Sequence, residues 1–287
     1  MPNSKAERDS PLVTTQWLAE HLAAPDLVVF DASWHMPAAG RDPKAEYLAE
    51  HIPGAVFFDI DAVADRSTDL PHMLPDPVVF SSEMRRLGFG DGMRAVVYDS
   101  IGLFSAPRLW WTLRVFGAQG VAILDGGLPK WKAEGRETRE GEEPRLPRHF
   151  TARVDRRLVA DAARVAEALA DGSAQVVDAR SAERFRGEAP EPRPNLRSGH
   201  MPGAKNLPFG RLIEDGRLKD AAALEAEFAA AGLDPERPTI ASCGSGLTAC
   251  IIGLALTAAG HAPATVFDGS WSEWGARGDL PVATGAG

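Results

Sequence analysis

The sequence predicts an α/β protein made of two copies of one domain, each a parallel sheet flanked by helices and related by internal duplication. Three observations predict it. The chain has 287 residues, enough for two domains of ordinary size. Its apolar runs are about four residues long, end in Asp, Ser or Gly and alternate with helical stretches, the pattern of strands buried on both faces. A series of anchors then recurs in the same order at shifts of 143 to 149 residues, the signature of an internal repeat.

In the first copy, Leu12 to Thr15 caps a helical stretch from Gln16 to Leu22, with apolar residues at Trp17, Leu18 and Leu22. Leu27 to Phe30 reads as a buried strand ending at Asp31, and the turn His51-Ile-Pro-Gly-Ala55 follows. A helix around Ser81 to Leu87 closes on Gly88, strand Ala95 to Tyr98 ends at Asp99, and strand Val121 to Leu124 leads to Asp125-Gly-Gly127 and Trp131. The second copy answers in order. Leu158 opens a helix as Leu12 does, Asp178 answers Asp31, His200-Met-Pro-Gly-Ala204 answers His51 to Ala55, and Gly232 answers Gly88. Thr239-Ile-Ala-Ser242 answers Ala95 to Tyr98, Asp268-Gly269 answers Asp125-Gly126, and Trp274 answers Trp131. The stretch from Lys132 to Arg153 is rich in Glu, Arg, Pro and Gly. It divides the chain into domains at 11–135 and 154–287 with 136–153 as linker.

Composition narrows the function. Hydrophobic content of 44% and charged content of 25% suit a soluble globular protein. A net charge of −9 argues against nucleic acid as a partner. Two cysteines seven residues apart give neither a disulfide framework nor a metal site. The polar opening, Met1 to Ser10, is neither a signal nor a transit peptide, and no apolar run reaches membrane-spanning length. These features point to the cytoplasm, whose reducing conditions suit a free thiol.

The chemistry concentrates in Ser242-Cys-Gly-Ser-Gly-Leu-Thr248. Thr239 to Ala241 is a short strand, and the Ala/Leu/Ile-rich run from Thr248 to Ala259 is a helix closed by Gly260. Between them two glycines let the backbone curl so that N–H groups converge above the helix N-terminus, a cradle for an anion at the Cys243 sulfur. A free thiol of pKa about 8.5 is only ~3% thiolate at neutral pH. A two-unit drop is worth about 2.7 kcal/mol. A helix N-terminus supplies ~2 kcal/mol at best, so the converging N–H groups and the Ser245 and Thr248 hydroxyls must supply the rest. A packed core cysteine has no use for such a loop, which favours a reactive Cys243. Cys250, inside the helix, reads as an inert packed thiol.

Cys-Gly-Ser-Gly-Leu-Thr-Ala resembles the active-site loop of the rhodanese superfamily, and within it the branch that uses 3-mercaptopyruvate, whose loop runs Cys-Gly-Ser-Gly-Val-Thr-Ala. Thiosulfate-specific members carry basic residues just after the cysteine. The resemblance covers about Thr15 to Gly275 and implies two tandem rhodanese-like domains. The first is catalytically silent: Asp99 stands opposite Cys243 when the strands are aligned. It also implies that Arg184 and Arg193 hold the carboxylate and keto oxygen of the substrate, a task that suits a planar guanidinium. Arg180 and Arg186 read as weaker candidates that pair with Glu183 or Glu188. Family resemblance further implies a relay of Asp61, His72 and Ser245, following the logic of an oriented histidine addressing a hydroxyl. Where relatives can carry Tyr, this chain has Phe104, so no hydroxyl acts there. His51 and His200, present in both copies, read as structural, and Trp271 and Trp274 as core or cleft wall.

The implied reaction is sulfur transfer by covalent catalysis without cofactor or metal. Cys243 takes the sulfur of 3-mercaptopyruvate as a persulfide, with Gly244, Gly246, Leu247 and Thr248 completing the loop around it. Pyruvate leaves, and a thiol, cyanide or thioredoxin accepts the sulfur. Three rivals are weighed against it. A thiosulfate enzyme wants positive charge where Gly244 and Ser245 stand. A cysteine phosphatase needs Arg six residues past the nucleophile, where Ala249 stands. A non-catalytic carrier or binding module would not need the cysteine, Ser245 and both arginines together.

Overall fold

A computed structural model describes residues 10–286. The opening segment whose composition argued against a leader lies, apart from Ser10, outside the described residues. The chain forms two compact units, Met1–Ala64 with Pro75–Asp155 and Asp215–Leu218, and Asp65–Leu74 with Arg156–Glu214 and Lys219–Gly287.

The first unit runs β1 (Leu12–Val13), α1 (Thr15–His21), β2 (Leu27–Asp31), α2 (Pro43–Ala49), β3 (Ala55–Phe57), α3 (Ile60–Val63), α4 (Pro77–Arg86), β4 (Arg94–Tyr98), α5 (Ala106–Val115), β5 (Val121–Leu124) and α6 (Gly127–Ala133). Its five strands are parallel in the order β1-β5-β4-β2-β3. The Thr14 hydroxyl accepts from Trp17 N and starts α1, and Asp76 with Pro77 starts α4. Leu18, Val29, Val96, Leu124 and Trp131 share a buried cluster on one face of the sheet.

The second unit runs β6 (Val159–Ala160), α7 (Ala162–Asp171), β7 (Gln175–Asp178), α8 (Ala182–Arg186), β8 (Lys205–Asn206) and the two-residue β9 (Ile213–Glu214), while β10 (Arg217–Leu218), next in the chain, groups with the first unit. It ends with α9 (Ala221–Ala230), β11 (Thr239–Ser242), α10 (Ala249–Ala258), β12 (Thr265–Phe267) and α11 (Ser270–Trp274). The sheet, again parallel, has the order β6-β12-β11-β7-β8, the first order repeated strand for strand. Val165, Val176, Ile240, Phe267 and Trp274 form its buried cluster. The copies agree in detail. Trp131 Nε1 donates to Glu137 O at 2.7 Å and Trp274 Nε1 to Pro281 O at 2.8 Å. His51 stacks on Tyr47 and bonds its carbonyl through Nδ1, and His200 does the same with Phe185, so both are structural.

Four features differ from the sequence expectation. Leu158 ends a 3-10 turn and is followed by strand β6, and α7 starts only at Ala162, capped by Asp161, whose carboxylate accepts from Arg164 N. Helix α4 begins at Pro77, not near Ser81, because Asp76-Pro77 is itself a start signal. The 136–153 stretch packs as part of the first unit: His51 N bonds Arg139 O, Asp91 N bonds His149 O, and Phe150 is buried against Phe80 and Phe89. Residues 65–74, read as part of the first copy, group with the second unit, where Leu74 N donates to the Asp268 carboxylate at 2.8 Å.

Candidate active site

In the second unit the residues of interest gather at the carboxyl ends of adjacent strands, where ligands bind in open parallel sheets. β11 pairs with β7 up to Ser242 opposite Asp178, and Ala179 N donates to Ser242 O. Cys243 is therefore delivered beside the segment that carries the arginines. The loop is fixed through its backbone. Cys243 N donates to Ser270 Oγ at 3.1 Å, Cys243 O accepts from Trp271 N, and Gly244 O accepts from Ser272 N and Oγ. Cys243 is 2% exposed, and Ser245 and Leu247 are buried with it. Gly246 has φ +75°, the left-handed backbone that favours glycine. Thr248 precedes the first residue of α10, whose every residue from Ala249 to Leu256 is buried. Cys250 lies there with its Sγ 3.3 Å from Gly246 O.

Both arginines reach the loop. A Cβ built on Gly244 would lie 3.2 Å from Arg184 Nη2 and 3.8 Å from Arg193 Nη1. Gly244 thus leaves room for two guanidinium groups one residue from Cys243. Behind them is a buried network absent from the sequence reading. Arg180, expected to pair with Glu183 or Glu188, instead bonds Asp178 through Nε and Nη2, Glu191 through Nη1 and Gly199 O, and stacks on Trp271 with its Cζ 4.2 Å from the ring. The facing carboxylates raise its pKa above the ordinary arginine value against the opposing effect of burial. Glu191 also accepts from Arg184 Nε at 3.2 Å and Nη2 at 2.5 Å. Arg186 pairs with Glu188 at the surface.

His72 belongs to this unit, 4% exposed, with φ +62°. Asp61 belongs to the first unit, where its carboxylate accepts from Trp34 Nε1 at 2.8 Å. Two site residues escaped the sequence reading, Glu191 and Ser270. Ser270 has φ +47° where the first copy has Gly127 at +53°, so a serine tolerates a glycine position. That mismatch between the copies is the signal that could have found it.

The first unit shows what the loop geometry does. Asp99 follows β4 as Cys243 follows β11. Its Oδ1 accepts from Ile101 N and Gly102 N at 3.0 and 2.9 Å. Its Oδ2 accepts from Phe104, Ser105 and Ala106 N at 2.8 to 2.9 Å. Five N–H groups at a helix N-terminus close on one carboxylate, an anion cradle with its anion built in. The matching backbone positions after Cys243 are 245, 246, 248, 249 and 250, the last of which bonds Leu247 O.

A duplicated five-stranded parallel sheet, with a cysteine in one copy at the loop position that a cradled carboxylate fills in the other, is the arrangement of a rhodanese-type protein. The rhodanese-like domain model matches residues 14–134 and 161–277, and the chain belongs to that family. It is 45% identical to the 3-mercaptopyruvate sulfurtransferase of Escherichia coli K12 over 94% of this chain and 96% of that one. It is 42% identical to the thiosulfate sulfurtransferase of Bos taurus over 92% and 91%. The crystal structure of SseA from Escherichia coli, a 3-mercaptopyruvate sulfotransferase, superposes with TM-score 0.85 at 41% identity, covering 91% of this chain and 99% of that one. Among the described residues no helix is long and apolar enough to cross a membrane, and no group of three or more His, Cys, Asp or Glu could hold a metal ion.

Proposed function

We propose that the protein is a 3-mercaptopyruvate sulfurtransferase acting through a persulfide on Cys243. The observation that carries this reading is the pair of guanidinium groups, Arg184 and Arg193, beside Gly244. Two forks at that place suit the carboxylate and adjacent keto oxygen of a small 2-oxo acid. The Cys243 thiolate attacks the donor sulfur; an S–S bond forms, the C–S bond breaks, and the electron pair leaves on carbon as the enolate of pyruvate. The thiol proton of the donor stays on the outer sulfur. The enolate takes a proton through Ser245, oriented by His72, and pyruvate departs. Gly244, Gly246, Leu247 and Thr248 shape the cradle for the outer sulfur, in which Asp99 and its five N–H partners stand as an internal likeness. A thiol, cyanide or a thioredoxin-type dithiol then attacks that sulfur and releases the Cys243 thiolate. No organic cofactor or metal enters any step, and the setting is the reducing cytoplasm.

Thiosulfate is a second reading of the donor, favoured by the Bos taurus relative. Against it, the two residues after Cys243 are neutral. The reading is tested by incubating the protein with 3-mercaptopyruvate without acceptor and analysing its peptides by mass spectrometry. The mass of one sulfur atom should appear on the peptide at Cys243 and vanish on adding a thiol. Sulfur retained on Cys250 alone, or none, would refute it.

A further inference from the structure

We propose that Glu191 determines donor specificity: its buried carboxylate positions Arg184 and takes one positive charge out of the site, so a donor with a single negative charge is favoured over a dianion. The inference rests on the reading of Arg184 as a donor-binding group.

Glu191 sits between two prolines in the segment from Arg180 to Arg193, a stretch that by composition reads as solvated surface. Its side chain is nevertheless only 2% exposed. A carboxylate this buried persists only with its lone pairs satisfied by hydrogen-bond donors or cations, and here the donors are guanidinium groups. Oε1 takes Arg180 Nη1 at 2.8 Å and Arg184 Nε at 3.2 Å, and Oε2 takes Arg184 Nη2 at 2.5 Å. The Nε–Nη2 edge of Arg184 is thereby fixed, a two-point grip that sets the plane of the guanidinium. Arg180 does not need Glu191 for charge balance, because Asp178 holds it by Nε and Nη2 with both side chains wholly buried. The negative charge of Glu191 therefore falls on Arg184, whose Nη2 is the atom nearest a Cβ at Gly244.

The consequence concerns charge more than shape. 3-Mercaptopyruvate presents one carboxylate, whereas thiosulfate is a dianion. With Glu191 ionised, the field at the loop is one unit less positive than the two arginines alone would make it. The second negative charge of a dianion then goes unmatched beside neutral Gly244 and Ser245. A Gln at 191 keeps the shape and one acceptor for Arg184 but returns the missing positive unit.

The test compares kcat/KM for 3-mercaptopyruvate and thiosulfate in wild type, Glu191→Gln and Glu191→Asp, with near-ultraviolet circular dichroism to verify the fold. For Glu191→Gln the ratio should move toward thiosulfate by about tenfold, the scale a unit charge a few ångströms away exerts at an effective dielectric of about 20 with screening. For Glu191→Asp, which keeps the charge but withdraws the carboxylate from Arg184, KM should rise for both donors with the ratio unchanged. Proportional losses with both donors in the Gln variant would reduce Glu191 to a positioning residue and overturn the proposal. So would a ratio shift in the Asp variant equal to that of Gln. The dissociation constants of pyruvate and thiosulfate, measured calorimetrically in a Cys243→Ser background, give the same comparison without turnover. If wild type preferred thiosulfate, the proposed donor would fall, while the effect of Glu191 on relative anion affinity would still be read from these constants.

Discussion

Asp99 and Cys243 hold the same position in two sheets of identical strand order, each the first residue beyond the central strand. In one copy the loop folds around a carboxylate that belongs to the chain. In the other the same position carries a thiol. The duplication thus yields one loop filled by a carboxylate and one that carries a thiol, and the filled loop organises the start of α5.

Asp99→Asn tests that role. The amide has the shape of the carboxylate but presents an NH2 to at least two N–H donors. The loss of those charge-assisted bonds and the exposure of donor to donor should lower stability by about 2–4 kcal/mol. Urea denaturation measures it, and a variant as stable as wild type would show that the five short contacts contribute little.

Asp31 and Asp178 also correspond, but only Asp178 has an arginine two residues on; Asp31 has Ser33. Burial without a cation pushes the Asp31 carboxyl up to about 6 from its ordinary 3.8. Its folded pKa lies above the unfolded one, so the folded state holds the proton longer. The stability contribution is full below pH about 4 and is lost as pH rises through about 6, about 3 kcal/mol in all. Asp31→Asn should remove this dependence and be the more stable protein at pH 7. Unfolding of wild type and variant at pH 4.5 and 7 gives the difference; equal slopes would contradict it.

Ser270 anchors Cys243 N and donates to Phe267 O. Ser270→Ala and Ser270→Gly both remove the anchor, and each should lower turnover about tenfold through looser placement of the nucleophile. They should differ in stability, because φ +47° strains alanine and not glycine. Glycine should be more stable by about 1 kcal/mol. Wild-type turnover in either variant would show that the anchor is dispensable.

Much of this was legible in the sequence because it is local. Short apolar runs closed by Asp or Ser gave β2, β4, β7 and β11, and Trp131 and Trp274 marked the repeat. The edge strands β1 and β6 are two residues each, too short for any period to register. The assignment of residues 65–74 depends on contacts such as Leu74 with Asp268, 194 residues apart, which no local pattern encodes. Glu191 was hidden for a related reason: flanked by prolines and charges it looks exposed, and only Arg180 and Arg184 folding over it make it buried. Cys243 was legible from its strand, glycine-rich loop and helix, Arg184 and Arg193 by resemblance, and the meeting of both arginines at Gly244 is what the fold adds.

The central claim, sulfur transfer from 3-mercaptopyruvate through Cys243, is tested most directly by pyruvate release from 3-mercaptopyruvate with a thiol acceptor. Thiosulfate with cyanide is run alongside, for wild type and Cys243→Ser. The account predicts that 3-mercaptopyruvate is preferred by orders of magnitude and that the variant is inactive with both donors. Preference for thiosulfate, or turnover that survives in Cys243→Ser, would contradict it.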